Sequence, residues 1–267
     1  MAHLSKQQLE HYQQQGYLSP IRVVSKENIS HLRDKTETLG SARGGQLPPA
    51  LNIKAHLLIP WLWDLVRSSA VIEPVVDILG EDVLCWGSSF FDKLPGSTDH
   101  VPWHQDSTYW GLEKPDALTA WIAFSTSDRS NGCLRVVPMS HGDQLKHVEM
   151  EDPSNMLQLR SETLAESVEA PAVDIILNAG EMSLHHQRLI HGSEPNTGTQ
   201  RRAGFAIRYI AGYLKGVMDE PNYATLVHGK DLGGFLLEEK PEGLFHREAL
   251  KRHCVILKRG QAVVHRE

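Results

Sequence analysis

Cysteine is scarce: the 267 residues hold three, Cys85, Cys133 and Cys254, far apart and without a CxxC pair. That odd count argues for reduced thiols in a cytosolic protein rather than a disulfide framework. A positive charge excess is also missing. Lys plus Arg number 27 against 33 Asp plus Glu, a net −6, which argues against nucleic acid as the main partner. No apolar run approaches the roughly 18 residues of a membrane helix. The first residues, Met1 to Gln8, are polar and lack an apolar signal core. Internal repeats and low-complexity tracts are absent too. With 40% hydrophobic and 22% charged residues, a mainly disordered or collagen-like chain is excluded. One large domain over 1–267 is the expectation, with a core that needs no disulfide staples.

Helix signals crowd the first third. Ser5 and Gln8 form a capping-box pair before Leu9 and Tyr12, and Gly16 stops that helix. Ser25 caps a second helix with Ile29, Leu32 and Leu39 on its apolar stripe. Pro60 suits the first position of a short helix. Val71 to Leu79 reads as helical, with Pro74 as a start or a kink. After Gly80 the pattern turns to strands: 83–91, 118–126, 133–137, 173–177, 182–190 and 203–210 are rich in β-branched and aromatic residues and separated by turn signals. Helices first and short strands afterwards suggest a β-sandwich or barrel with a helical wrapping. The helical part covers about 1–80, the β core about 81–212 and a C-terminal extension about 213–267. The acidic segment 141–171 reads as an insertion or lid, or an ordinary surface excursion.

What the chain has in plenty is histidine, 15 residues in all. On a strand, residues i and i+2 share a face, so His104 and Asp106 could offer an imidazole and a carboxylate to one metal. His191 is a candidate third ligand. Two histidines and one carboxylate on one face of an ion leave three open positions, the arrangement of non-haem Fe(II) oxygenases. Zinc accepts the same ligand types. Read alone, His-x-Asp also fits a solvated histidine and a turn-capping aspartate. Arg202 follows His191 by eleven residues and a turn, so the two can lie on adjacent antiparallel strands. Its planar fork suits the far carboxylate of a dicarboxylate cosubstrate.

His104-Gln105-Asp106, the run Asn131 to His141, and His191-Gly192-Ser193 through Asn196 to Arg202 together resemble the phytanoyl-CoA dioxygenase family over roughly residues 80–212. The resemblance implies a mainly β fold with flanking helices: a double-stranded β-helix (jelly roll, cupin-like) with N-terminal helical wrapping. It implies Fe(II), 2-oxoglutarate and O2 as cofactor and cosubstrates, a small-molecule substrate, and release of succinate and CO2. Carried over by position, His104, Asp106 and His191 are the iron ligands. Arg202 binds the distal carboxylate with Ser193 beside it, and Trp121 and Lys93 line the cosubstrate pocket. Asp106 stands where related halogenases carry Gly or Ala, which favours hydroxylation. Met139 departs from the Gly more usual in the family, and a local turn adjustment is expected there.

The substrate is less legible. Asn52, Lys54 and His56 would share one face of an extended segment and could hold an anionic head group, or form a solvated edge strand. Arg208 shares strand parity with Arg202. Tyr109, in an aromatic run with Trp103 and Trp110 that suits the barrel core or mouth, is a further candidate substrate contact. His100, His141, His185 and His186 read as packing or supporting residues rather than ligands. The run around His56 to Trp61, with Trp103 to Leu112, resembles a bacterial subgroup that includes aminophosphonate hydroxylases. A small organophosphonate such as 2-aminoethylphosphonate is therefore the expected substrate, held by Asn52, Lys54 and Arg208. The alternatives are a tailoring hydroxylase of a larger natural product and a non-catalytic cupin-like metal-binding module.

Overall fold

The computed structural model describes residues 3–106, 114–157, 162–165, 171–215 and 222–264, without the side chains of 162 and 259–264. Tyr109 and Trp110 lie outside the described residues. Helix α1 (Lys6–Gln15) begins at the expected capping box: Ser5 Oγ accepts from the Gln8 amide, and the Gln8 side chain accepts from the Ser5 amide at 2.9 Å. It stops at Gly16, whose φ of 80° suits a residue without Cβ. Helix α2 (Lys26–Gly40) starts on Ser25, and α3 (Pro60–Val66) has Pro60 at its first position. Helix α4 (Ser69–Leu79) begins earlier than expected and carries Pro74 inside it.

Strands β1 (Tyr17–Arg22), β2 (Val83–Lys93), β3 (Val101–His104), β4 (Ala117–Ala123) and β5 (Leu134–Val136) are followed by the hairpin β6 (His147–Glu149) and β7 (Glu162–Leu164). Then come β8 (Val173–Ile175), β9 (Glu181–His186), β10 (His191–Ser193), β11 (Arg202–Ala211), β12 (Tyr223–His228) and β13 (Leu236–Leu237). The large sheet runs β1-β9-β4-β11-β2-β12-β13, and the small sheet runs β3-β10-β5-β8. All pairings in both are antiparallel except β12 with β13. This is the expected jelly-roll architecture.

Three expectations need correction. The stretch 182–190 is not one strand: β9 ends at His186 and a turn carries the chain into the other sheet at His191. The large sheet also recruits β1 from the helical part and β12 from the C-terminal extension, so it reaches beyond 81–212. Finally, the C-terminal extension carries a helix, α5 (Arg247–Val264), that the sequence reading does not assign. No described helix is long and apolar enough to cross a membrane.

Residue alternation assigns the faces. On β11, Ala203, Phe205, Ile207 and Tyr209 belong to the apolar cluster shared with Leu62, Val66, Val71 and Val75 of α3 and α4. Gly204, Ala206 and Arg208 alternate with them and face the opposite sheet. The Tyr209 hydroxyl donates to the Val66 carbonyl at 2.8 Å, tying the helical layer to the sheet. Met139, at φ 65°, adopts the left-handed backbone that favours Gly, which is the local adjustment its departure from the family pattern demands.

The segment 51–58 is not extended. It forms two short 3₁₀ turns, Pro49–Asn52 and Ala55–Leu57, with Lys54 between them at φ 48°. Asn52, Lys54 and His56 therefore do not share a strand face. Lys54 Nζ instead donates to the carbonyls of Trp86 (2.6 Å) and Tyr223 (3.0 Å) and to Glu238 Oε1 (2.7 Å). All three protons are used, so Lys54 holds the C-terminal extension to the sheet and has none left for a substrate anion. Burial pushes the Glu238 carboxyl up, but Lys54 and His56 outweigh it and hold it down to about 2. Because that lies below the ordinary 4.5, the stabilisation is complete above the ordinary value and fades as pH falls towards 2. Glu238→Ala leaves the buried ammonium unpaired and should cost about 3–5 kcal/mol. Thermal melting should show a Tm lower by about 10 °C; a shift under about 2 °C would show the pair to be dispensable.

Candidate metal centre and cosubstrate pocket

The small sheet brings the two distant histidines together by register. His191 on β10 pairs directly with His104 on β3. Directly opposed residues project to the same face, and the ring centroids lie 4.1 Å apart. Each ring is fixed from behind by a main-chain carbonyl: His104 Nδ1 donates to Pro102 O and His191 Nδ1 to Leu189 O, both at 2.9 Å. A carbonyl only accepts, so Nδ1 carries the proton and Nε2 turns its lone pair inward. Asp106 is not on the strand with His104. It lies two residues on, in the turn after β3. Its Oδ1 is 3.6 Å from His104 Nε2 and 4.0 Å from His191 Nε2. The three buried donors lie within 4.8 Å of one another.

Thr119 on β4 completes the arrangement and carried no local signal beyond sharing strand parity with Trp121. Its hydroxyl donates to Asp106 Oδ2 at 2.7 Å, fixing the carboxylate with Oδ1 towards the imidazoles. Burial alone would push the Asp106 carboxyl up, but His104, His191 and Arg208 more than reverse this and hold it well below the usual range. Burial and the neighbouring rings of His104 and His185 lower His191. The result is two inward lone pairs beside an anion.

The same cleft is lined by Trp121, Ser193, Arg202 and Arg208. Arg202, at 2% exposure, is buried. One of its terminal nitrogens donates to Phe91 O at 3.1 Å. The other terminal nitrogen and Nε have no partner among the described residues. Trp121 lies under the guanidinium, 5.5 Å from ring to cation. Gly204 makes room for that ring: a Cβ there would stand 1.8 Å from Trp121 Cζ2. Lys93 is placed differently from expectation. It is fully buried behind Ser193, donating to Ser193 Oγ at 2.6 Å and to the carbonyls of Ser193 and Glu194. Lys93 thus occupies a lone pair of Ser193 and leaves the hydroxyl proton free to donate into the cleft. Burial first, then the like charge of Arg202, push Lys93 down to about 6.

The remaining histidines separate cleanly. His100 faces Asp152 at 3.5 Å, and His141 packs on His186 with ring centroids 5.3 Å apart. Trp103 packs against Val137, Leu164 and Ile190. His185 is the exception: it lines the metal cleft, its ring centroid 4.5 Å from that of His191. Burial pushes its pKa down to about 4. A second cavity of about 260 Å³ lies beside Cys133, but its cations are committed, Arg135 to Asp174 and Glu194 and Arg129 to Asp174.

The phytanoyl-CoA dioxygenase (PhyH) family pattern matches residues 12–204. The chain belongs to the PhyH family. A probable alpha-ketoglutarate-dependent hypophosphite dioxygenase of Stutzerimonas stutzeri is 29% identical over 158 residues, covering 58% of this chain and 55% of that protein. The chain thus spans about half the length of that curated relative. The solved structure of the non-heme monooxygenase ThoJ, in its apo form, superposes with a TM-score of 0.81 at 31% identity, covering 96% of both chains. CytC3 with Fe(II) and alpha-ketoglutarate shares the fold at TM-score 0.64 and 23% identity, over 91% of this chain and 96% of that one. PhyH proteins depend on Fe(II), 2-oxoglutarate and O2, and the residues of this PhyH chain fit that set. The donor set suits ferrous ion, and a buried guanidinium with two unsatisfied nitrogens suits a carboxylate.

Proposed function

We propose that this PhyH protein is an Fe(II)- and 2-oxoglutarate-dependent hydroxylase of a small oxyanionic substrate, best matched by an organophosphonate such as 2-aminoethylphosphonate. Hydroxylation would fall on the carbon bearing phosphorus. When bound, the iron and 2-oxoglutarate supply the oxidising power, with succinate and CO2 as by-products. The chain supplies position and charge. His104, Asp106 and His191 hold the ion, Arg202 and the Ser193 hydroxyl take the distal carboxylate, and Trp121 walls the cosubstrate from the other side.

Arg208 is the observation that carries the substrate class. The charges of Fe(II), Asp106, Arg202 and a 2-oxoglutarate dianion sum to zero, and uncompensated charge is costly in a buried site. Arg208 adds one more cation to the same cleft. One of its nitrogens donates to Ser89 Oγ at 2.6 Å, and Phe91 lies below the guanidinium at 5.7 Å. A bound substrate anion restores the balance. With Lys54 and Asn52 outside the cleft, Arg208 becomes the phosphonate anchor, and the phosphorus chemistry of the hypophosphite-dioxygenase relative points the same way.

A 2-oxoglutarate consumption screen across small phosphonates, amino acids and acyl thioesters tests this reading. Succinate formation dependent on 2-aminoethylphosphonate is expected. Arg208→Met should then raise the KM for the phosphonate about 100-fold, within the range for losing a charged hydrogen-bonded partner, and leave the KM for 2-oxoglutarate within about threefold. Consumption driven only by amino acids or thioesters would overturn the substrate, and no substrate-dependent succinate at all would favour a binding module.

A further inference from the structure

The large sheet carries His185, Thr119 and Arg208 on a single rung. Thr119 pairs with His185 on one side and with Arg208 on the other. Adjacent strands lie roughly 4.8 Å apart, so the backbones of His185 and Arg208 stand about 10 Å apart with Thr119 between them. Thr119 holds Asp106, and the two outer members flank that carboxylate. His185 Nε2 lies 3.9 Å from Asp106 Oδ2, too far for a hydrogen bond. All three residues line the metal cleft.

The His185 ring is 2% exposed, and neither of its nitrogens has a hydrogen-bond partner among the described residues. A buried polar group left in that state is costly unless something completes it. Its neighbours do not. The Thr119 hydroxyl is committed to Asp106, and His191 Nδ1 is committed to Leu189 O. A neutral imidazole offers one N–H and one bare lone pair, whereas a guanidinium offers donors only. The ends of the rung are therefore chemically different: of the two, only the His185 end can accept a hydrogen bond, and Arg208 presents a cationic fork.

We infer that His185 is a specificity-determining residue that accepts a hydrogen bond from a donor group of the substrate, an amine or hydroxyl, while Arg208 holds the oxyanion at the other end. The substrate class is then a short bifunctional oxyacid whose reacting carbon lies between the two groups, opposite the metal ligands. This rests on the hydroxylase reading and deepens it, because a phosphonate without a donor group would satisfy only the Arg208 end.

The test compares wild type, His185→Phe and His185→Gln, each loaded anaerobically with Fe(II) and 2-oxoglutarate. Binding is read from the perturbation of the visible metal-to-ligand charge-transfer band as 2-aminoethylphosphonate or ethylphosphonate is added. Wild type should prefer the amino compound by about 10- to 100-fold. His185→Phe should reduce that preference below about threefold and leave the ethylphosphonate affinity nearly unchanged. His185→Gln, which keeps an acceptor, should retain part of the preference and serves alone if the Phe variant does not fold. A preference unchanged in both variants overturns the inference. So does loss of the band before any phosphonate is added, which would make His185 part of the metal site. A parallel pair, 3-aminopropanoate and propanoate, separates the two readings. His185-dependent discrimination confined to the carboxylates sinks the phosphonate substrate and keeps His185. Phosphonate binding without it does the reverse, and failure of both pairs to bind wild type rejects both.

Discussion

Asp106→Ala is expected to lose Fe(II) affinity by more than the roughly 10- to 100-fold that removal of an outer partner costs, and with it all hydroxylation. The variant should still fold. The change deletes a buried charge and leaves the apolar clusters on either side of the sheet untouched. Thr119→Val is the graded counterpart. It keeps the carboxylate but frees Oδ2 from its hydroxyl partner, so it should fall inside that 10- to 100-fold range. Anaerobic Fe(II) titration, followed by the charge-transfer band with 2-oxoglutarate, separates the two, and circular dichroism checks the fold. Wild-type metal affinity in Asp106→Ala would remove the carboxylate from the proposed ligand set.

Arg202→Met is expected to raise the KM for 2-oxoglutarate by about two to three orders of magnitude. Two unsatisfied guanidinium nitrogens face the cleft, and a desolvated carboxylate pair lost at one partner costs about 2–5 kcal/mol. Arg202→Lys should recover only part, since an ammonium cannot reproduce the planar fork. The metal triad is untouched in both variants, so Fe(II) affinity without cosubstrate should stay within a few-fold of wild type. Lys93 adds a second readout. Arg202 is one of the two causes holding Lys93 low, so its pKa should rise in the Met variant. Unchanged 2-oxoglutarate affinity would place the distal carboxylate elsewhere.

The centre of this site was legible because its chemistry is written in residue type and spacing. His104-x-Asp106, a distant His191 and an Arg eleven positions later mark the right residues, although Asp106 lies past the end of β3 and Arg202 lies on β11 of the large sheet rather than on a strand beside β10. The substrate side was not, because its logic is tertiary. The stretch 51–58 alternates like a strand, but Lys54 satisfies its ammonium on carbonyls and a carboxylate far along the chain, at Trp86, Tyr223 and Glu238. That demand bends the segment into 3₁₀ turns. Thr119 and His185 acquire meaning only through the cross-strand register that aligns them with Arg208. Strand β1 was hidden by Pro20 inside its short run, a residue that argues against a strand. The boundary after His186 was invisible because the turn that follows, Gln187-Arg188-Leu189, carries no Gly, Pro, Asn or Asp to signal it.

The carbonyl bonds behind the two ligand imidazoles have a kinetic consequence. An ion arriving at the cleft meets rings whose protons are already parked on the far nitrogen and whose planes are already set. Capture then requires neither tautomer exchange nor ring rotation, only the shedding of water from the ion. Capture rates of ferrous ion and other divalent cations should accordingly track each ion's own dehydration rate.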